Sequence, residues 1–242
     1  MIIAAIRSVA TYIAVSVYVL FAASIGMLLE MIFRWKGILY ILGHGGVRLG
    51  LAVAGIRVRI AGKEHIPIGR AAVYCANHQS NVDPPVLFTS LHPRMHIVYK
   101  AEINAIPLLA RAFQHGGFIP IDRRNKEAAM RSLEAGARSI QAGNSFLIFP
   151  EGTRSKTGDM LPFKKGGFLM ALKAQAPIVP VAISGGRDAM RRGSKIIRPV
   201  KISIRVGAPI DTAGMQMSDR DLLIAQVRER IEALLAEGPV VD

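Results

Sequence analysis

The sequence predicts an α/β fold: a single domain with a mixed, largely parallel sheet flanked by helices, preceded by an N-terminal membrane-associated helical segment. From residue 56 onward, short apolar or strictly alternating runs recur along the chain. Between them lie stretches whose apolar residues repeat at helical spacing, and strands alternating with helices imply parallel pairing. The first 56 residues instead carry long, charge-poor stretches. The expected boundary therefore separates a membrane-helix and interfacial-helix segment, 1–56, from an α/β domain, 57–242. No internal repeat, low-complexity tract or further domain is evident.

Taken in order, residues 8–29 carry no charge and are flanked by Arg7 and Glu30. At 1.5 Å per residue they make about 33 Å of helix, enough to cross a bilayer's hydrocarbon. The run exceeds a typical signal-peptide core and no small-residue cleavage site follows it. Arg34-Trp35-Lys36 reads as an interfacial cluster. Residues 37–56, with His44, Arg48 and several glycines, suit the headgroup layer better than a span. A hairpin crossing twice would put Arg34 and Lys36 on the far side, against the positive-inside bias. The expectation is one span followed by an interfacial helix, or two helices dipping into one leaflet, at the cell's inner membrane with the domain on its cytoplasmic face.

Residues 56–60 alternate, giving a strand with one wet face. Buried or mixed strands follow at 71–76, 95–99, around 119–121, 145–149, 178–183 and 201–206, the last alternating again. Helical spacing predicts helices at 106–113, 126–142 (ended by Gly143), 167–175, and from a Ser218 cap to near Gly238.

The chain holds 31 Lys and Arg against 17 Asp and Glu, a net charge of +14, with 51% hydrophobic residues and a mean hydropathy of +0.32. Basic and apolar together point to an anionic membrane surface, where each cation contributes about 1 kcal/mol, or to phosphate-bearing substrates. Nucleic acid is not expected: aromatics make up 6%, with neither an RNA-binding consensus nor zinc-finger spacing. The single cysteine, Cys75, excludes an internal disulfide and reads as core packing.

Two stretches carry chemistry. Asn77-His78-Gln79-Ser80-Asn81-Val82-Asp83 follows the 71–76 strand, where open α/β sheets place ligands. If the chain turns into a helix there, the Asp83 carboxylate folds back on the His78 ring and leaves the outer nitrogen to take a proton. Phe149-Pro150-Glu151-Gly152-Thr153-Arg154-Ser155 puts an acid and a guanidinium three apart on a glycine-containing turn. Gly152 permits a left-handed backbone, Arg154 offers a fork to phosphate, and Glu151 either braces Arg154 or orients a substrate hydroxyl. Ser80 lacks a nucleophile elbow around it and reads as structural.

These two stretches, with Gly117-Phe118-Ile119-Pro120-Ile121-Asp122-Arg123 between them and Val179-Pro180-Val181-Ala182-Ile183 after them, occur in one order. The set resembles the glycerolipid acyltransferase family, most closely its bacterial 1-acyl-sn-glycerol-3-phosphate acyltransferases, over roughly residues 60–210. Pro120 is one residue more than the family pattern. The resemblance implies His78 as general base and Asp83 as its orienter. It implies an acceptor site made by Glu151, Gly152, Thr153 and Arg154, with Lys100 and Arg123 also on the phosphate, and Pro180 shaping the site. The implied reaction moves an acyl group from acyl-CoA or acyl-carrier protein to the sn-2 hydroxyl of lysophosphatidic acid, giving phosphatidic acid. Cofactor and metal are not expected, the acyl donor being a co-substrate. The alternatives are another acceptor, glycerol 3-phosphate or a lyso-ornithine lipid, or a non-catalytic lipid-binding protein.

Overall fold

The computed structural model describes residues 2–35, 37–122 and 124–241. Helices α1 (Ile2–Phe33) and α2 (Gly37–Ala54) come first, then β1 (Arg57–Ala61), β2 (Val73–Ala76), α3 (Asp83–Ser90), β3 (Met95–Lys100), α4 (Pro107–His115) and β4 (Ile119–Ile121). There follow α5 (Lys126–Gln141), β5 (Ser145–Ile148), α6 (Gly166–Ala174), β6 (Ile178–Ser184), the single turn α7 (Gly186–Ala189), β7 (Lys201–Val206) and α8 (Arg220–Ala236).

The seven strands form one sheet in the order β1-β7-β6-β2-β5-β3-β4. Five of its six pairings are parallel and only β6 with β7 is antiparallel, so the sheet is mixed and largely parallel. β2 lies at the centre and every residue in it is buried. Its alternation divides the core: Tyr74 and Ala76 face α2 and α3, while Val73 and Cys75 face α5, α6 and α8. A strand covered on both faces has no polar side to show, which is why residues 71–76 read as an unbroken apolar run.

Some local expectations shift. Pro84 and Pro85 occupy the first turn of α3, where proline's missing N–H and fixed φ suit a helix start. The last helix is preceded by a 3-10 turn at Met217–Asp219 whose capping box uses Gln216 and Asp219 rather than Ser218. Gly143, with φ of +93°, does end α5.

Helices α1 and α2 form an antiparallel hairpin, with Val15 against Gly50 and Gly26 against Leu39 and Leu42. The Tyr18 hydroxyl donates to the Leu42 carbonyl at 3.0 Å. Both helices are long and apolar enough to cross a membrane. Polar residues fasten α1 to the domain at two places. Near its start, Ser8 Oγ accepts from the Ile197 amide at 2.8 Å and the Tyr12 hydroxyl donates to the Lys195 carbonyl at 2.8 Å. Near its end, Glu30 Oε2 lies 3.0 Å from His115 Nδ1 at the end of α4. The opposite face of α1 exposes Ile2, Ile6, Val9, Ile13, Val17 and Leu20, an apolar stripe at helical spacing.

Candidate active site

β2, β5 and β6 are parallel neighbours, and the loops leaving their carboxyl ends build the site. At the end of β2, Asn77 is buried and exchanges two hydrogen bonds with the Ile183 backbone, at 2.9 and 2.8 Å. This ties the loop after β2 to the end of β6. The chain then turns through His78 and enters α3 at Asp83.

Asp83 is fully buried. Its Oδ2 accepts from the backbone amides of Gln79 and Ser80, both at 2.7 Å, and lies 3.0 Å from His78 Nδ1. An oxygen that already accepts from two amides is an acceptor toward the ring as well. That places the imidazole proton on Nδ1 and leaves Nε2 with its lone pair. The His78 ring also stacks on Phe149, with centroids 4.2 Å apart and planes 27° from parallel. Orientation is thus set by one hydrogen bond and one ring face.

The other Asp83 oxygen, Oδ1, has no partner among the described residues. It packs against the backbone of Gly186, where any Cβ would collide with it. Sequence reading did not single out Gly186, which lies far from Asp83 along the chain.

The turn after β5 is fastened to the same loop. Glu151 is buried, its Oε1 accepting from the His78 amide at 2.7 Å and its Oε2 from the Leu161 amide at 2.9 Å. Burial pushes its carboxyl above the usual range, opposed by those two amides. Each oxygen thus accepts one backbone amide, and Glu151 holds the His78 loop to the turn after β5. The Ser155 amide donates to the His78 carbonyl at 2.9 Å, and Gln79 Nε2 to the Gly158 carbonyl at 3.0 Å. Gly152 adopts φ of +68° with the Lys164 side chain lying over it, the left-handed turn its identity predicts.

His78 lines a cavity of about 1030 Å³ that runs between the helix hairpin and the domain. Tyr18 and Ala22 of α1, Phe88 of α3, Phe113 of α4 and Phe118 make much of its wall apolar, while Asn81, Lys100, Gly152, Thr153 and Arg154 also border it. Lys100 is exposed and pairs with Glu102 at 2.8 Å. Arg123 lies outside the described residues. Ser80 Oγ donates to the Met190 carbonyl at 2.9 Å, a structural use. Cys75 is fully buried, and burial with the nearby Glu151 charge pushes its thiol well up, so it stays protonated in the core.

Comparison with known proteins decides the family. The model of a family described as Acyltransferase matches residues 57–184, which hold both loops. The chain belongs to that acyltransferase family. It is 34% identical over 206 residues to a 1-acyl-sn-glycerol-3-phosphate acyltransferase of Limnanthes douglasii, covering 83% of this chain and 73% of that protein. It is 32% identical over 184 residues to the human 1-acyl-sn-glycerol-3-phosphate acyltransferase alpha, covering 76% and 65%. The fold is shared with the crystal structure of the 1-acyl-sn-glycerophosphate (LPA) acyltransferase PlsC from Thermotoga maritima, with a TM-score of 0.83 at 23% identity and 97% of both chains covered. This acyltransferase is thus an enzyme that transfers acyl groups to oxygen, built on a largely parallel sheet behind two apolar N-terminal helices.

Proposed function

We propose that the enzyme transfers a fatty acyl group from an acyl thioester, acyl-CoA or acyl-carrier protein, to the sn-2 hydroxyl of 1-acyl-sn-glycerol 3-phosphate. The observation that carries this reading is the His78–Asp83 pair opening into a cavity apolar along its length and cationic at Arg154. An acyl chain fits the first part and a phosphate the second. The names of the relatives point to the same acceptor.

In this reading, His78 Nε2 takes the proton of the acceptor hydroxyl as its oxygen attacks the thioester carbonyl. The tetrahedral intermediate collapses, the carbon–sulfur bond breaks, and the thiolate recovers the proton from His78. Base assistance of this kind contributes about 10²–10⁴-fold. Asp83 holds the ring and stabilises the imidazolium that forms. Among the described residues, Asn81 has the only amide from His78 to Asp83 without a partner inside the protein. Asn81 also lines the cavity, so its N–H is the turn's available donor to the developing oxyanion.

The hairpin supplies the membrane contact. From Ser8 to Glu30, α1 runs about 33 Å at 1.5 Å per residue, and it is bonded to the domain near both ends. A helix so fastened lies along the domain rather than standing away from it. Of the arrangements the sequence allowed, this favours two helices dipping into one leaflet, the apolar stripe in lipid and the domain on the cytoplasmic side. The acceptor then reaches His78 without leaving the membrane.

An acceptor panel tests the proposal. With one acyl-CoA, purified enzyme is expected to release free coenzyme A fastest with lysophosphatidic acid, ahead of glycerol 3-phosphate and lyso-ornithine lipid. Release only with an acceptor that lacks phosphate overturns it.

A further inference from the structure

Charged side chains around the cavity are few and of one sign. Among the described residues, Lys100, Arg154 and Arg192 border it, and no Asp or Glu does. Lys100 already has Glu102 at 2.8 Å. Arg154 and Arg192 form no ion pair among the described residues. Arg192 belongs to the segment after β6, where Met190 holds Ser80 through its carbonyl. Its Nη1 donates to the Arg154 carbonyl at 2.7 Å. A guanidinium carries five N–H donors; one is spent tying this side chain to the backbone of the phosphate-facing turn, and the rest remain on a group that borders the cavity.

We propose that Arg192 is a second phosphate-gripping residue of the acyl-acceptor site, holding with Arg154 one phosphate monoester. This rests on the acceptor reading given above and adds a residue to it. Two arguments support the pairing. A phosphate monoester is close to doubly charged near neutral pH, so one guanidinium leaves charge unmatched where two neighbouring ones do not. Distance also selects the acceptor over the donor. The phosphorus of lysophosphatidic acid is three bonds from the carbon bearing the reacting hydroxyl, so its oxygens must lie close to His78. The phosphates of coenzyme A are removed from the thioester by the whole pantetheine arm. Arg154 and Arg192 border the same cavity as His78. The Ser155 amide, next to Arg154, donates to the His78 carbonyl at 2.9 Å and Arg192 donates to the Arg154 carbonyl at 2.7 Å, which joins both residues to the His78 loop.

The test compares full-length wild type with Arg192→Ala, Arg192→Lys and Arg154→Ala in detergent–lipid micelles, using one acyl-CoA and two acceptors, lysophosphatidic acid and a 1-monoacylglycerol. The quantity read is the ratio of kcat/KM between the two acceptors, together with the inhibition constant of inorganic phosphate against lysophosphatidic acid. Arg192→Ala is expected to lower the ratio roughly ten- to a hundredfold, the loss that deleting a hydrogen bond to a charged group brings. The loss should appear mainly in the acceptor's KM, with weaker phosphate inhibition and partial recovery in Arg192→Lys. If Arg192 only braces the turn, both acceptors suffer together, the ratio and the inhibition constant hold, and the proposal is overturned. It is overturned equally if the loss falls on the KM for acyl-CoA. A wild-type enzyme showing no preference for the phosphate-bearing acceptor instead fells the acceptor reading itself, before any variant is compared.

Discussion

Gly186 presses its backbone against the Asp83 carboxylate on the side away from His78. The contact leaves Oδ1 without a hydrogen bond and Oδ2 facing the ring at 3.0 Å. A methyl group at residue 186 would occupy the space Oδ1 fills, so Gly186→Ala must displace the carboxylate or the turn of α7. Misplacement of a catalytic group by about 1 Å costs on the order of a hundredfold. The expected result is a fall in kcat of that size with a smaller change in acceptor KM, measured by steady-state kinetics. An unchanged kcat would mean the carboxylate has room to yield.

Glu151→Gln tests how the two loops are joined. A glutamine can accept at only one of the two amides now bonded to Glu151, and presents an NH₂ group to the other. Leaving a buried N–H unpaired costs about 1–3 kcal/mol. Chemical denaturation is expected to show a loss in that range, with lower kcat because the His78 backbone is no longer held. A variant as stable and as active as wild type would contradict the clamp.

His96 gives a stability prediction with a definite pH window. It is buried beside the Tyr40 hydroxyl, 3.1 Å from Nε2, and burial pushes its pKa down to about 4. Between about pH 6.5 and 4 the unfolded chain carries a proton here that the folded chain does not. Stability therefore falls as pH drops through that window and the loss levels off below it, amounting to about 3 kcal/mol. Above pH 6.5 this group contributes no slope. Denaturation midpoints from pH 7.5 to 4, compared with His96→Phe, should show a shallower decline in the variant.

The sole tryptophan, Trp35, follows the exposed end of α1 and is itself exposed. A hairpin dipping into one leaflet keeps it shallow and on the same side as the domain. Its fluorescence is expected to shift to the blue with anionic vesicles and to be quenched by lipids brominated near the headgroup. Quenching strongest from the bilayer centre, or from the far leaflet, would instead support a span.

Seven strands and most helices were legible because their periodicities are local. β2 and β5 show unbroken apolar runs since both faces are covered, while β1, at the sheet's edge, and β7 beside it alternate. His78 and Asp83 were legible for the same reason, the pair being set five residues apart on one turn. Other features depend on distant contacts. The sequence sets Glu151 beside Arg154 on one turn but does not show that its carboxylate also crosses to the backbone of the neighbouring loop. Gly186 acts on a residue reached only after the chain has crossed the sheet, and no spacing signals it. Arg192 stands out in the sequence only as one of a basic run, Arg187 to Lys201, suited to lipid headgroups or an anionic donor; its bond to Arg154 is likewise a distant contact. The run 8–29 revealed its length and apolarity but not its attachment, which rests on three polar residues, Ser8, Tyr12 and Glu30, that bond to the domain.

Replacing the base is the most direct test. Purified full-length His78→Ala is assayed with lysophosphatidic acid and an acyl-CoA, alongside circular dichroism and vesicle binding. The account predicts acyl transfer reduced by at least about 10²-fold, with the spectrum and membrane binding of the wild type retained. Transfer within a few-fold of wild type would contradict it.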